Sequence, residues 1–129
     1  MPTVVLANLV NVQAADKDDR IGALPLWSLK EDNKVMSRTF TAKNWAAAMS
    51  FFNAVSEIAE EEGHHPDLHL TSWRNVAVEL STHAIGGLSM PDLVMAAKID
   101  AIKVDYSPKW LRERPAIAEA VAKAQKTGD

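Results

Sequence analysis

The sequence predicts an α+β fold in two layers, with a four-stranded antiparallel sheet and helices packed on one face. Three features lead to this prediction: two alternating segments joined by a turn, one long amphipathic segment, and two further alternating segments. The 129 residues are 47% hydrophobic and 24% charged, which suits one domain with its own core. We expect a single domain over residues 1–129, in which an N-terminal arm (1–24) precedes a core (25–106) and a helical extension (107–129).

The segment WSLKEDNKVMSRTF predicts a β-hairpin. Trp27 and Leu29 alternate with polar residues, as in a strand that buries one face. Val35 and Phe40 lie beyond the turn signal DN at positions 32–33. Two such segments on either side of a polar turn indicate the first two strands of the sheet.

The segment TAKNWAAAMSFFNAVSEIAEEEG, residues 41–63, predicts the longest helix. Its apolar residues recur at spacings of three and four, which places them on one face: Ala48, Phe51, Phe52, Val55, Ile58 and Ala59. Thr41 is the candidate N-cap, and Gly63 is the candidate C-terminal stop. We expect the apolar face of this helix to pack on the sheet.

Two more strands are predicted after this helix. DLHLTS, residues 67–72, and NVAVELSTH, residues 75–83, alternate between apolar and polar side chains. His69 and His83 fall on the polar sides of these strands. Pairs of strands that can run antiparallel, with helices able to cover one face, complete the two-layer arrangement.

The rest of the chain predicts helices. Ser89, with Asp92 three residues on, is typical of a capped helix start, and we expect this helix to run to about Asp105. The segment 108–126 is rich in alanine and is interrupted by Pro115. Because proline breaks the interior of a helix, this segment predicts a helical appendage in two pieces.

Composition excludes several classes of function. The net charge of −3 provides no basic surface for nucleic acid or an anionic membrane, and no apolar run approaches the roughly 20 residues that span a bilayer. The absence of cysteine excludes disulfides, thiolate zinc sites and thiol nucleophiles. The apolar N-terminal stretch has no preceding basic residue, and its first one, Lys17, lies among aspartates. We therefore predict a cytoplasmic protein without a targeting segment.

Three histidines in the stretch EGHHPDLHL, residues 62–70, suggest catalytic chemistry. Imidazole has an unperturbed pKa of about 6.5, so it can give and take protons near neutral pH. His64 and His65 stand together at a helix end, where nearby charge and burial can assign them different tasks. Glu60 lies four residues before His64, on the last helical turn, and is expected to orient or charge that imidazole.

Two other interpretations stay open at this point. His64, His69 and His83 with one carboxylate would supply a ligand set for zinc, but their spacing matches no metal signature, so we predict no metal. Pro66 disfavours the helix that would align His65 with His69. Composition and periodicity alone also allow a loop without catalytic chemistry.

Three candidate residues also have ordinary structural explanations. Asp92 would be favoured in the first turn of a helix, where the helix dipole stabilises a carboxylate. Trp73 would be a packing residue, and His69 would be a surface histidine or one whose polar atoms are satisfied. These explanations compete with the functional ones residue by residue.

Three linked motifs occur along the chain: E-x-x-x-H-H-P (Glu60, His64, His65, Pro66), S-T-H (Ser81, Thr82, His83) and G-L-S-x-x-D (Gly87, Leu88, Ser89, Asp92). In this order and at this spacing they resemble the motifs of the pterin-4a-carbinolamine dehydratases. The resemblance covers about Trp27 to Asp105, and the string HHPDLHL…W…THAIGGL is most similar to the plant and protist branch.

The resemblance implies a reaction. Members of this family dehydrate 4a-hydroxytetrahydropterin to quinonoid dihydropterin and so regenerate the cofactor of aromatic amino acid hydroxylases, without a metal or organic cofactor of their own. Carried over by position, His64, His65 and His83 would be catalytic. His65 and His83 would transfer protons, and His64 would bind the pterin and stabilise charge.

The resemblance also implies a substrate-binding set, which we predict as Glu60, Pro66, Trp73 and Asp92. Two departures from the animal pattern bear on it: one extra residue between HHP and STH, and Leu68 at a position where that pattern has an aromatic residue. Trp73 is the candidate that would replace this aromatic residue as a flat wall against the pterin.

Similar proteins form dimers and often tetramers, so the resemblance implies a homo-oligomer with a pterin substrate and an aromatic amino acid hydroxylase in the same pathway. The alternative function is a non-catalytic binding or assembly partner on the same scaffold, and a metal-dependent hydrolase is a third hypothesis. A scaffold has no physical need for three histidines at these positions, whereas the dehydration needs an acid and a base.

Overall fold

The structure, a computed structural model, describes residues 3–5 and 23–127. The strands are β1 (Thr3–Val5), β2 (Ala23–Lys30), β3 (Val35–Thr41), β4 (Asp67–Thr71) and β5 (Asn75–Leu80). The helices are α1 (Trp45–Glu62), α2 (Met90–Asp100), α3 (Pro108–Arg112) and α4 (Pro115–Thr127), and a 3₁₀ turn occupies His83–Ile85. Neighbouring strands are antiparallel in the order β1-β2-β3-β5-β4. The α+β prediction is confirmed: β2 to β5 are the four predicted strands, and the short β1 adds a fifth at the edge.

One apolar core joins the sheet to the helices. The pairing of β3 with β5 sets Met36 opposite Leu80 and Phe40 opposite Val76, so that their side chains share one buried face. From α1 and α2 the core receives Ala48, Phe51, Val55, Ala59, Leu93, Met95, Ala96 and Ile99. The rings of Phe40 and Phe51 meet edge to face with their centroids 4.9 Å apart, a favoured aromatic geometry.

Helix α1 has well-defined ends. The side chain of Asn44 accepts a hydrogen bond from the Ala47 amide at 2.8 Å, so Asn44 is the N-cap. The predicted cap, Thr41, instead ends β3, where it pairs with Asn75. Gly63 ends the helix as predicted, because its φ of 65° is a left-handed conformation that glycine adopts without a steric penalty.

Helix α2 is shorter than predicted. It ends at Asp100 rather than near Asp105 because the chain beyond it is drawn alongside the end of β3. The Asp105 carbonyl accepts from the Lys43 amide at 2.9 Å, and Tyr106 forms an isolated β-bridge with Ala42. The C-terminal segment then forms two helices, and Pro115 begins the second one, as the sequence predicts.

A polar cluster lies inside the core. Arg38 donates to Asp100 at 3.0 Å and to the Tyr106 hydroxyl at 2.5 Å, while the Trp27 indole N–H donates to Asp100 at 2.9 Å. Burial raises the pKa of Asp100 to about 6, and the neighbouring Arg38 opposes that rise. The same burial raises the pKa of Tyr106. These contacts attach the end of α2 to β2 and β3.

The β4–β5 hairpin separates two ends of the molecule. At one end Asp67 pairs with Glu79, close to the histidines before β4 and after β5. At the other end Thr71 pairs with Asn75 beside the turn that contains Trp73. The described helices include none that is long and apolar enough to cross a membrane.

Candidate active site

The centre of the histidine cluster is Asp92, in the first turn of α2. It is fully buried. Its Oδ1 lies 2.5 Å from Nε2 of His64, and its Oδ2 accepts from the Thr82 hydroxyl at 2.7 Å and from the Ser89 amide at 3.0 Å. One carboxylate therefore joins the three motifs that the sequence analysis singled out.

Local structure explains how these residues meet. Gly63 turns the chain out of α1 in the left-handed conformation, so the next residue, His64, leaves the helix axis. Thr82 and Gly87 exchange backbone hydrogen bonds of 2.8 and 3.4 Å and close a short loop before α2. Asp92 also accepts from the Ser89 amide, as the acidic residue of a capping box does. The carboxylate that binds His64 therefore also stabilises the start of α2.

His64 is positioned rather than mobile. Its side chain is 19% exposed, and its only hydrogen bond to the described residues runs from Nε2 to Asp92. The contact of Nε2 with Asp92 fixes the orientation of the ring and leaves Nδ1 as the second functional atom. The described residues offer no partner to Nδ1, so it is available to a ligand.

His65 contacts a different carboxylate. Its Nε2 lies 2.5 Å from Glu60 Oε2, and the two side chains are 64% and 75% exposed. The expected contact between Glu60 and His64 is therefore wrong, because the turn at Gly63 brings the following histidine back over the last turn of α1. Pro66 is half-buried and leads directly into β4. His65 thus presents an accessible imidazole beside the buried His64–Asp92 pair.

His83 lies on the loop that closes the cluster. The strand β5 ends at Leu80, so His83 is not a strand residue as predicted but begins the 3₁₀ turn that ends at Gly86. It is exposed, and it directly follows Thr82, whose hydroxyl donates to Asp92. The network around Asp92 therefore supports the loop that carries His83.

His69 belongs to a separate polar group on the open face of the sheet. Its Nε2 lies 3.4 Å from Glu79, which also forms an ion pair with Lys30. The hydrogen bond from Lys30 holds the pKa of the Glu79 carboxyl below its usual range. These contacts lie on the polar face of the strand, where the alternation places His69. His69 is therefore not part of the Asp92 cluster.

Trp73 lies at the far end of the β4–β5 hairpin from the histidines. It sits in the turn between the strands, where it is 54% exposed. It lines a different cavity there, together with Arg74 and Trp110. This position does not support the predicted role of Trp73 as a flat wall beside the histidines.

Sequence reasoning missed two members of the network. The Thr82 hydroxyl donates to Asp92 and accepts from the Ser89 hydroxyl at 2.7 Å, so the Ser89 side chain supports the carboxylate through Thr82. Both residues occur in the quoted motifs: Thr82 directly precedes His83 in S-T-H, and Ser89 stands three residues before Asp92 in G-L-S-x-x-D. Within residues 3–5 and 23–127, no group of three or more histidine and acidic side chains is arranged to hold a metal ion.

Comparisons with known proteins point to one family. The family model described as pterin 4 alpha carbinolamine dehydratase matches residues 11–102. An Arabidopsis thaliana protein named pterin-4-alpha-carbinolamine dehydratase 2, mitochondrial, is 47% identical over 81 residues, which are 61% of this chain and 43% of that protein. A Marinobacter nauticus relative with the same family name is 39% identical over 98 residues, 74% of this chain and 87% of that protein. The chain thus spans less than half of the plant relative and most of the bacterial one.

Two solved structures have a similar fold. One is described as a transcriptional coactivator/pterin dehydratase from Brucella melitensis; it is 27% identical with a TM-score of 0.58, over 69% of this chain and 94% of that one. The other is a pterin dehydratase-like protein described as a RuBisCO assembly factor in the alpha-carboxysome. It is 21% identical with a TM-score of 0.50, over 58% of this chain and 86% of that one, and it shows likeness of fold alone.

Proposed function

Because this chain belongs to the pterin-4-alpha-carbinolamine dehydratase family, whose named members are hydro-lyases, we propose that it dehydrates 4a-hydroxytetrahydropterin to quinonoid dihydropterin. The observation that carries the proposal is the buried carboxylate of Asp92. It holds His64 on one oxygen and, on the other, Thr82, the neighbour of His83. One buried acid thus holds a histidine of the first motif and the residue that precedes a histidine of the second, which supports a shared site for proton transfer.

The chemistry of the reaction requires an acid and a base. The bond between C4a and the hydroxyl oxygen breaks, and the oxygen takes a proton and leaves as water. N5 loses its proton, and the electron pair of that N–H bond forms the new double bond between N5 and C4a. Atoms and charge balance without an oxidant, so two imidazoles in opposite protonation states are sufficient.

We assign the two proton transfers to His65 and His83. Both imidazoles are exposed, so each can reach a substrate and exchange protons with water between turnovers. Glu60 contacts His65 and is placed to orient its ring. Which of the two histidines is the acid follows from the orientation of the pterin between them.

We assign His64 to binding and to charge stabilisation. Its ring is oriented by Asp92, and among the described residues its Nδ1 has no hydrogen-bond partner. A fixed imidazole can donate or accept one well-directed hydrogen bond to the polar edge of a pterin without losing much side-chain entropy. Pro66 fixes its own φ and restricts the backbone of His65, which limits how far that imidazole can move.

The experiment that tests this proposal is stopped-flow dehydration of freshly generated 4a-hydroxytetrahydropterin, with and without a chelator. We expect fast turnover that the chelator does not change and that is lost in the His65→Ala variant. His69→Ala is the matched control, because it removes an imidazole that is similarly exposed but lies in the Glu79 group. Equal losses in both variants would contradict the assignment, and loss on chelation would favour a metal-dependent hydrolase.

Absence of turnover in the wild-type protein would favour the alternative, a non-catalytic binding or assembly role on the same scaffold. For the protein as a dehydratase, we propose a homodimer or homotetramer, a cytoplasmic location and an aromatic amino acid hydroxylase in the same pathway. Size-exclusion chromatography with light scattering tests the first of these. Imaging of the tagged full-length protein tests the second, and the name of the Arabidopsis relative makes mitochondria the competing location.

A further inference from the structure

A second cavity lies at the turn end of the β4–β5 hairpin, away from the histidines. Its volume is about 360 Å³, which is within the range of about 300–1,000 Å³ for small-molecule sites. One wall is the turn with Trp73 and Arg74, and the other is the region of α3 with Lys109 and Trp110. Two backbone hydrogen bonds fix both walls to the end of β3: Ala42 N–H to Arg74 at 2.8 Å and Ser107 N–H to Thr41 at 2.9 Å.

The first feature that indicates a ligand is the indole of Trp73. Its backbone has a φ of 59°, a left-handed conformation that bulky residues rarely adopt, and the preceding Ser72 has a φ of 47°. Consecutive left-handed residues are usual in a tight hairpin turn, and here they place the indole at the tip of the β4–β5 hairpin. The indole is 54% exposed and lies outside the core, and the guanidinium carbon of Arg74 is 4.6 Å from its ring centroid. An accessible aromatic surface and a cation therefore occur side by side at this cavity.

The second feature is positive charge. Arg74, Lys109 and Arg114 line the cavity together with one carboxylate, Glu113, so the lining carries a net charge of about +2 in a chain whose net charge is −3. Glu113 lies 3.7 Å from Arg114. Within the described part of the chain, neither Arg74 nor Lys109 has a carboxylate partner.

We propose that this cavity binds a small anion that carries a planar ring and a phosphate monoester, the chemistry of a nucleoside monophosphate. The ring would lie against Trp73, and the phosphate would contact Arg74 and Lys109. A phosphate monoester carries about −1.5 to −2 charges at neutral pH, which matches the charge of the lining. Aromatic stacking and charge-assisted hydrogen bonds would then act on different parts of the same ligand. The proposal does not depend on the dehydratase activity.

The test is isothermal titration calorimetry of the full chain with adenosine 5′-monophosphate. We expect adenosine alone and inorganic phosphate alone each to bind at least about ten-fold more weakly, because each supplies half of the interactions. Trp73→Asn should weaken binding about ten-fold while still allowing the left-handed backbone. Trp45→Asn is the matched control, because Trp45 is 55% exposed on α1 and does not line the cavity.

The charge is tested with Lys109→Gln and Arg74→Gln, each of which should weaken binding about ten-fold or more. Lys103→Gln is the control, since Lys103 is also exposed and lies outside the cavity. Failure of adenosine monophosphate to bind at millimolar concentration, or unchanged binding in the Trp73 and Lys109 variants, would overturn the proposal.

One further variant separates this proposal from the proposed function. His65→Ala should bind adenosine monophosphate as the wild-type protein does, because the two sites lie at opposite ends of the hairpin. If the nucleotide instead competes with the pterin, and the His65 variant loses both activities, a separate nucleotide site is ruled out. Loss of dehydration alone would leave the second site established.

Discussion

Two neighbouring imidazoles meet carboxylates at the same distance but in different surroundings. The Nε2 atoms of His64 and His65 each lie 2.5 Å from a carboxylate oxygen, of Asp92 and Glu60 respectively. Asp92 is fully buried and has two further donors, whereas the side chain of Glu60 is 75% exposed. The contact distance alone therefore does not distinguish the roles of the two histidine–carboxylate pairs. Burial decides whether the pair organises the structure or remains free to react.

The physical reason is the difference in solvation. A buried carboxylate that loses a hydrogen-bond partner keeps its desolvation penalty, so its partners are strongly held. An exposed pair exchanges its contact for water at little loss, and both of its members can turn toward a substrate. The adjacent histidines thus suit the different tasks that we propose for them.

The largest effect that would sharpen this comparison is on turnover. We expect His65→Ala to lower the rate of pterin dehydration by roughly 10²–10⁴, the usual share of general acid–base catalysis, with little change in thermal stability. His64→Ala removes a proposed binding group and should in addition lower the free energy of unfolding by ~1–3 kcal/mol, because it leaves the Asp92 carboxylate short of a partner. Stopped-flow kinetics and urea unfolding of the two variants measure this. Identical profiles in the two variants would break the comparison.

A second buried carboxylate extends the comparison to pH. Burial raises the pKa of Asp100 from 3.8 to about 6, so the folded state binds its proton more tightly than the unfolded state. The resulting stabilisation, about 3 kcal/mol, is complete below pH ~3.8 and is lost as the pH rises through ~6. We expect the stability of the wild-type protein relative to Asp100→Asn to fall by about this amount between pH 3.8 and 7. Urea unfolding of both proteins across this range checks it; a constant difference would refute the burial argument.

The two carboxylates of the histidine pairs can be compared directly. Asp92→Ala should lower the free energy of unfolding by ~2 kcal/mol, because it removes a buried acceptor from His64, Thr82 and the start of α2. Glu60→Ala is the matched control and should leave stability almost unchanged, as expected for an exposed position. Urea unfolding measures both. Equal effects would mean that burial does not separate the two pairs.

The smallest effect is expected from Glu60→Gln. Since the contact with His65 is exposed, loss of the charge should change turnover by less than about five-fold. The measurement is steady-state dehydration at neutral pH, with Glu61→Gln as the control on the same helical turn. A loss of a hundred-fold would show that Glu60 itself acts on the substrate.

Much of the fold could be predicted because its strands alternate. Val76, Val78 and Leu80 all point into the core, and their register with β3 follows from that alternation. The end of α2 could not be predicted locally, because the contact that draws the chain away is a backbone hydrogen bond from Lys43 to Asp105. Such a long-range contact leaves no trace in the periodicity of the helix.

The sequence indicated which residues belong to the candidate site, but not which of them contact each other. Spacing along an ideal helix placed Glu60 next to His64, whereas the left-handed turn at Gly63 exchanges the two histidines. The buried contact of Arg38 with Asp100 also escaped sequence reasoning. Arginine in a strand that is otherwise apolar on one face has no periodic signal that says which acid will neutralise it.

Asp92 both stabilises the start of α2 and binds His64, and this links the stability of the helix to the histidine site. The same carboxylate accepts from the amide of Ser89 at the start of α2 and from the imidazole of His64. A ligand that binds this imidazole only in the folded state stabilises that state by thermodynamic linkage, and the first turn of the helix is part of it. Amide hydrogen exchange at the start of α2 is then a remote reporter of occupancy, and it would register a bound ligand even when no reaction takes place.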